Sequence, residues 1–122
     1  MSPRTRATAR AAGTRLETDV ANYLAAHVHD GIERRAKTGL KDRGDITGVR
    51  EPANGGRIVV EVKNTARWAP GEWLAEAEVE RVNDDAVAGL VVAKRHGRGH
   101  PADQVVLMTL ADFVALLTGR RP

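Results

Sequence analysis

Cysteine is absent from the chain. That excludes disulfide staples and thiolate metal sites, and it fits a reducing cytosol. Aromatic residues make up only 3% of the sequence, so stacking on an aromatic platform is not expected as the main way of holding a nucleic acid. No apolar run approaches a membrane span or a signal-peptide core, and the expectation is a cytoplasmic protein with no membrane contact and no export. Acid is missing as well from the stretch before Glu17, an Ala/Thr/Arg-rich segment that carries Arg4, Arg6, Arg10 and Arg15.

The chain has 122 residues, 42% of them hydrophobic and 29% charged. This is enough to bury one core and too little for two. We therefore read residues 1–12 as a flexible basic arm and 13–122 as a single domain. A net charge of +3 is modest, but the basic residues are clustered. Beyond the arm, one group holds Arg34, Arg35, Lys37, Lys41 and Arg43, and another holds Lys94, Arg95 and Arg98 beside His96 and His100. Such clusters suit a polyanion, whose condensed counterions are released as phosphates are neutralised. Solvated loops are the plainer alternative.

Leu16, Val20, Tyr23, Leu24 and Val28 form the stripe of an amphipathic helix from about Thr14 to Val28. Ile32 to Ala36 reads as a short strand, and a Lys/Gly-rich loop follows. Residues 45–49 form a second strand, and Asn54-Gly55-Gly56 marks a hairpin turn into a third over Ile58 to Val62. Pro70-Gly71 opens a second helix, packed through Ala75, Val79, Val82 and Ala86 and closed by Gly89. Leu90 to Ala93 and Gln104 to Met108 are two further strands. A last helix starts near Thr109, with Asp112 completing its cap, and ends at Gly119. The order α-β-β-β-α-β-β-α describes an α/β fold with helices packed on a mixed sheet.

One strand raises a chemical question. Glu61 and Lys63 share a face, because strand side chains alternate with a period of two. Glu-x-Lys alone says little, since roughly 40% of chains this long contain one by chance, and the plain reading is an edge ion pair. Asp45 changes the weighting, because a hairpin brings its carboxylate beside that of Glu61. Two carboxylates held close raise each other's pKa unless a cation neutralises them. Oxygen ligands without cysteine suit Mg²⁺ or Mn²⁺. A lysine beside that cation positions an attacking water, helps deprotonate it, or stabilises charge on a phosphate in flight. The constellation suits metal-assisted phosphodiester hydrolysis.

Gly44-Asp45-Ile46, the run Ile58-Val59-Val60-Glu61-Val62-Lys63, a preceding helix bearing Glu17 and the αβββαβ order together resemble the PD-(D/E)XK nuclease superfamily. Within it the chain looks like the small archaeal-type Holliday junction resolvases, including phage versions, from roughly Gly13 to Lys94. The resemblance implies a restriction-endonuclease-like fold in a bacterial, archaeal or phage-infected cell. It implies Asp45 and Glu61 as metal-binding carboxylates, joined by the backbone carbonyl of Val62, with Lys63 as the catalytic lysine and Glu17 completing the metal site. Gly44 stands where proline is common in resolvases, and Thr38 lies where they carry a serine-bearing glycine loop. The implied function is structure-selective DNA cleavage with Mg²⁺ or Mn²⁺ by a homodimer acting on four-way junctions. Arg4, Arg6, Arg10, Arg15, Arg34, Arg35, Lys37, Thr38, Lys41 and Arg43 would hold the DNA. Two other functions stand beside it: a nuclease of the same superfamily acting on nicks, flaps or damaged DNA, and a non-catalytic DNA-binding module.

Each residue also has a structural explanation. Glu17 follows Thr14 at capping-box spacing, and Asp45 suits a turn. His96 and His100 lack a third metal ligand. Trp68 and Trp73 suit packing at the start of the second helix. Glu76, Glu78 and Glu80 read as a solvated helix face paired with Arg81.

Overall fold

A computed structural model describes residues 5–36 and 42–122. Arg4, Lys37, Thr38 and Lys41, expected to contact DNA, lie outside the described residues. In chain order the elements are α1 (Arg6–His27), β1 (Glu33–Arg34), β2 (Ile46–Thr47), β3 (Ile58–Lys63), α2 (Pro70–Asn83), β4 (Ala88–Ala93), a single 3₁₀ turn (Pro101–Asp103), β5 (Val105–Leu107) and α3 (Leu110–Thr118). The five strands lie side by side in sequence order. All neighbours are antiparallel except β3 and β4, which are parallel and joined through α2. This is the mixed α/β sheet flanked by helices that the sequence predicts.

The central strands explain the layering. Ile58, Val60 and Val62 on β3 join Ala88 and Val92 on β4 and Leu16, Val20 and Ala21 of α1 in the main core, to which α3 adds Ala115. Val91 and Ala93 of β4 meet Trp73 and Ala77 of α2 in a second cluster. Period-two alternation thus sends Glu61 and Lys63 away from α1's face. They point to the layer occupied by α2.

Two helix boundaries and one buried face differ from expectation. Helix α1 begins at Arg6, where Thr5 accepts a hydrogen bond from the Thr8 N–H at 3.2 Å. Much of the expected arm is therefore helix, and Thr14 sits inside it, its carbonyl accepting from Thr18 Oγ1. The capping-box account of Glu17 fails accordingly. Helix α2 stops at Asn83, and Gly89 does not close it but lies in β4, where an added Cβ would stand 3.1 Å from the Ala77 carbonyl. The buried face of α2 is Trp73, Ala77 and Glu80, while Val79 and Val82 are 61% and 62% exposed. Helix α3 is bounded as predicted, with Thr109 at its start accepting from the Asp112 N–H and Gly119 at its end left-handed at φ 74°.

The turn between β2 and β3 is built around a carboxylate. Glu51 is only 1% exposed, and its oxygens accept from the N–H groups of Ala53 at 2.6 Å, Asn54 at 2.9 Å and Gly56 at 2.8 Å. Chiefly the Gly56 N–H, then those of Asn54 and Ala53, hold its pKa below the ordinary carboxylate value against the opposing effect of burial. A depressed pKa means stability present above about pH 4.5 and lost as pH falls through the folded value. Glu51→Gln turns an acceptor into an NH₂ facing amide donors. Thermal melting should show a lower midpoint at neutral pH and a weaker loss of stability on acidification than in the wild type.

Candidate metal centre

Backbone geometry brings the site together. Ile46 pairs with Val60 in the antiparallel β2–β3 register, which sets Asp45 across from Glu61. The Asp45 N–H donates to the Val60 carbonyl at 2.9 Å, and its Oδ2 accepts from the Val62 N–H at 2.8 Å. Val62 thus enters the site through its N–H. Just before it, Gly44 has φ 93°, and a Cβ there would stand 3.0 Å from both the Val60 carbonyl oxygen and Val59 Cγ1. Proline, fixed near −65°, does not reach that conformation. Glycine at this position lets the chain pass close over β3. Asp42 Oδ1 accepts from the Gly44 N–H at 3.0 Å, tying the loop into the turn.

Helix α2 supplies what the sequence reading overlooks. Glu76 and Glu80 lie four residues apart, one above the other on a helix face. Glu76 Oε2 accepts from Lys63 Nζ at 2.6 Å, and Lys63 Nζ is also 3.8 Å from Glu61 Oε1. Glu80 reaches the other carboxylate: atoms of Asp42, Glu61 and Glu80 all lie within 4.8 Å of one another. Only Glu78 behaves as expected on a solvated face, with both carboxylate oxygens bound by Arg81. The signal available in the sequence was the spacing of Trp73, Ala77 and Glu80, which puts an acid on the packed side.

The electrostatics follow from burial. Glu61 and Glu80 are 7% and 4% exposed. Desolvation pushes the Glu61 pKa to about 9, assisted by its hydrogen bond and repulsion with Glu80 and only partly offset by Lys63. Desolvation likewise raises Glu80 to about 7, with its hydrogen bond to Glu61 opposing the rise and Asp42 and Asp45 adding repulsion. Without a cation, the pair retains a proton near neutral pH. For Lys63, burial alone would lower the pKa, but the bond to Glu76 and the attraction of Glu61 outweigh it and the net shift is upward. Lys63 is a cation here and not a free base.

A metal fits this donor set. Glu61 Oε2 and Glu80 Oε2 are buried, and apart from the proton the two carboxyls share, no donor among the described residues reaches them, an arrangement that costs stability unless something binds them. Three carboxylates with no sulfur or imidazole are the type of donor set that a hard divalent cation takes.

The other expected site residues are distributed as follows. Glu17 Oε2 accepts from Arg34 Nε at 2.9 Å, and Glu17 is not in the three-carboxylate group. Arg34, expected on DNA, holds Glu17. Arg6, Arg10, Arg15 and Arg43 are exposed, and Arg35 is half-buried near Asp84. His100 caps the 3₁₀ turn through the Ala102 N–H and meets the Tyr23 ring edge-on. Trp73 is buried, whereas Trp68 is 37% exposed and rests its ring 5.7 Å from that of Trp73. No helix of the described residues is long and apolar enough to cross a membrane. No family model, curated protein or solved structure matches the chain.

Proposed function

We propose that the protein is a metal-dependent, structure-selective DNA endonuclease of the PD-(D/E)XK type, acting on four-way junctions. The observation that carries the reading is the meeting of Asp42, Glu61 and Glu80 beside Lys63, with two buried carboxylate oxygens that no N–H donor among the described residues reaches. A fold needs no such arrangement for stability, because repulsion and desolvation both oppose it. It makes sense where a cation and a phosphate meet.

Mg²⁺ or Mn²⁺ would be held by Glu61 and Glu80 with Asp42 or Asp45. Bound there, it would supply an activated water and neutralise charge developing on the phosphate. The chain's own groups do the rest. Lys63, charged and fixed between Glu61 and Glu76, directs N–H donors at the developing oxyanion rather than removing a proton. Asp45 locks β2 to β3 through the Val62 N–H and so fixes the position of Glu61. Cutting two symmetry-related strands of a junction calls for two such sites on a two-fold axis, hence a homodimer. Exposed Arg6, Arg10, Arg15 and Arg43 supply charge for the branches, read by shape rather than base sequence.

The test is cleavage of a labelled four-way junction beside flap and linear duplex, with Mg²⁺, Mn²⁺ or EDTA. Paired nicks in the junction, lost with EDTA and with Asp45→Asn, are the expected result. Preferential cutting of flaps or duplex would move the substrate within the nuclease class. Tight DNA binding without cutting under any metal would overturn the enzymatic reading and leave a binding module.

A further inference from the structure

A second polar feature adjoins the carboxylates through the 42–45 segment. Arg35, Arg43 and Arg57 enclose, with Thr47, Asn83 and the Asp84–Asp85 pair, a polar cleft of about 350 Å³. The three guanidinium groups arrive from separate segments: the end of β1, the loop leading to Asp45, and the residue before β3. Three positive charges against two negative leave the lining one positive. The compensation is also loose. Asp84 Oδ2 stands 3.9 Å from Arg35 Nη2 and 3.6 Å from Arg57 Nε, too far for good hydrogen bonds. Arg35 Nε is buried with no hydrogen-bond partner among the described residues.

The cleft is held in place from behind. Arg57 donates through Nε and Nη2 to the Asp84 backbone carbonyl at 3.0 and 2.7 Å, which fixes the plane of its guanidinium. Asn83 Nδ2 donates to the Asp42 carbonyl at 2.9 Å, and the Arg35 N–H donates to the Asp45 carbonyl at 2.7 Å. The same few residues therefore position both the cleft and the carboxylates. Guanidinium forks match the oxygens of a phosphate, and three around one polar opening are more than Asp84 and Asp85 require.

We infer that this cleft binds a backbone phosphodiester of the DNA away from the carboxylates, with Arg43 and Arg57 as its principal contacts. The inference rests on the nuclease reading and names a subsite of it. Arg57 was not among the residues expected to meet DNA; it is marked out by the cleft alone.

The experiment measures anisotropy of a labelled four-way junction in EDTA, so that binding is read without cutting. The proteins are the wild type, Arg43→Gln, Arg57→Gln and, as a control, Arg120→Gln on the exposed C-terminal tail. Arg43→Gln and Arg57→Gln should each weaken binding about fivefold to tenfold and lower the salt slope by about one, as loss of one phosphate contact does. Arg120→Gln should do neither. Arg43 is exposed, so its variant keeps the test sound if Arg57→Gln melts early. Unchanged affinity and slope for Arg43→Gln would overturn the inference, even where wild-type junction cutting succeeds. Calorimetry with inorganic phosphate provides the second arm: saturable binding lost in Arg43→Gln, with junction affinity unchanged in that variant, would assign the cleft to a free anion and overturn the DNA assignment. Failure of metal-dependent cutting alone, with the two cleft variants still impaired in binding, would sink the enzymatic reading while leaving the phosphodiester subsite standing.

Discussion

Glu61→Gln should abolish metal-dependent DNA cutting and yet make the metal-free protein more stable at alkaline pH. The first half follows, on the proposed reading, from the loss of a carboxylate oxygen that would hold the metal and of the charge next to Lys63. A decrease of at least about a hundredfold is expected, comparable to removing one preorganised electrostatic partner at a transition state. The second half follows from what burial does to Glu61. Its pKa of about 9 means that ionising it inside the fold is unfavourable, and the neutral amide never incurs that cost. Melting in EDTA should give nearly equal midpoints for the two proteins at about pH 5, where Glu61 is protonated, and a higher midpoint for the variant at about pH 9. A variant that melts earlier than the wild type at both pH values would show Glu61 to be a structural ion-pair partner of Lys63. Loss of cutting together with a gain in stability is the signature of a group kept for chemistry.

The pH dependence of the wild type provides the second large effect. Glu61 and Glu80 have pKa values raised from 4.5 to about 9 and about 7. Folding therefore takes up protons relative to the unfolded chain. The associated stability is complete below pH 4.5 and is lost as pH rises through about 7 and then about 9. Without divalent cation, the melting midpoint should decline across that window. Mg²⁺ competes with the protons for the same oxygens, so it should bind more tightly as pH rises and flatten the decline. Melting curves in EDTA and in Mg²⁺ that fall in parallel would mean that the cation does not bind at these carboxylates. At the acid end Glu51 works in the opposite sense, because its pKa is depressed. The metal-free protein should accordingly be most stable at mildly acid pH.

The parts of this fold that could be read from sequence are those with strong local signals. Apolar runs at 58–62 and 90–93 became the two central strands, Pro70-Gly71 opened α2, and Thr109, Asp112 and Gly119 bounded α3. The start of α1 was hidden because Arg6 to Gly13 carries no apolar stripe, and only the Thr5–Thr8 cap marks it. The pairing of Asp45 with the Glu61 strand was legible, since a hairpin and a period of two are enough to set it. Glu76 and Glu80 were not. Between Ala75 and Val82 the polar and apolar residues offered two candidate faces, and hydrophobicity favoured the one bearing Val79 and Val82. Tertiary packing selected the other, in which Trp73 and Ala77 lie against β4 and carry the acids over β3. A carboxylate on a packed face conflicts with the usual burial preference, and such conflicts are where function overrides folding logic.

Gly89 gives that packing a gauge. With only hydrogen on its Cα, β4 lets the Ala77 carbonyl of α2 approach to where a methyl group would be 3.1 Å away. Glu76 stands one residue before that contact and Glu80 three after it, and their partners Lys63 and Glu61 sit on the adjoining strand. The absence of one carbon atom on β4 thus lets α2, which carries Glu76 and Glu80, pack closely on the sheet. Small hard cations tolerate little variation in ligand distance, so on the proposed reading a residue outside the carboxylate group would bear on which ionic radius the centre accepts.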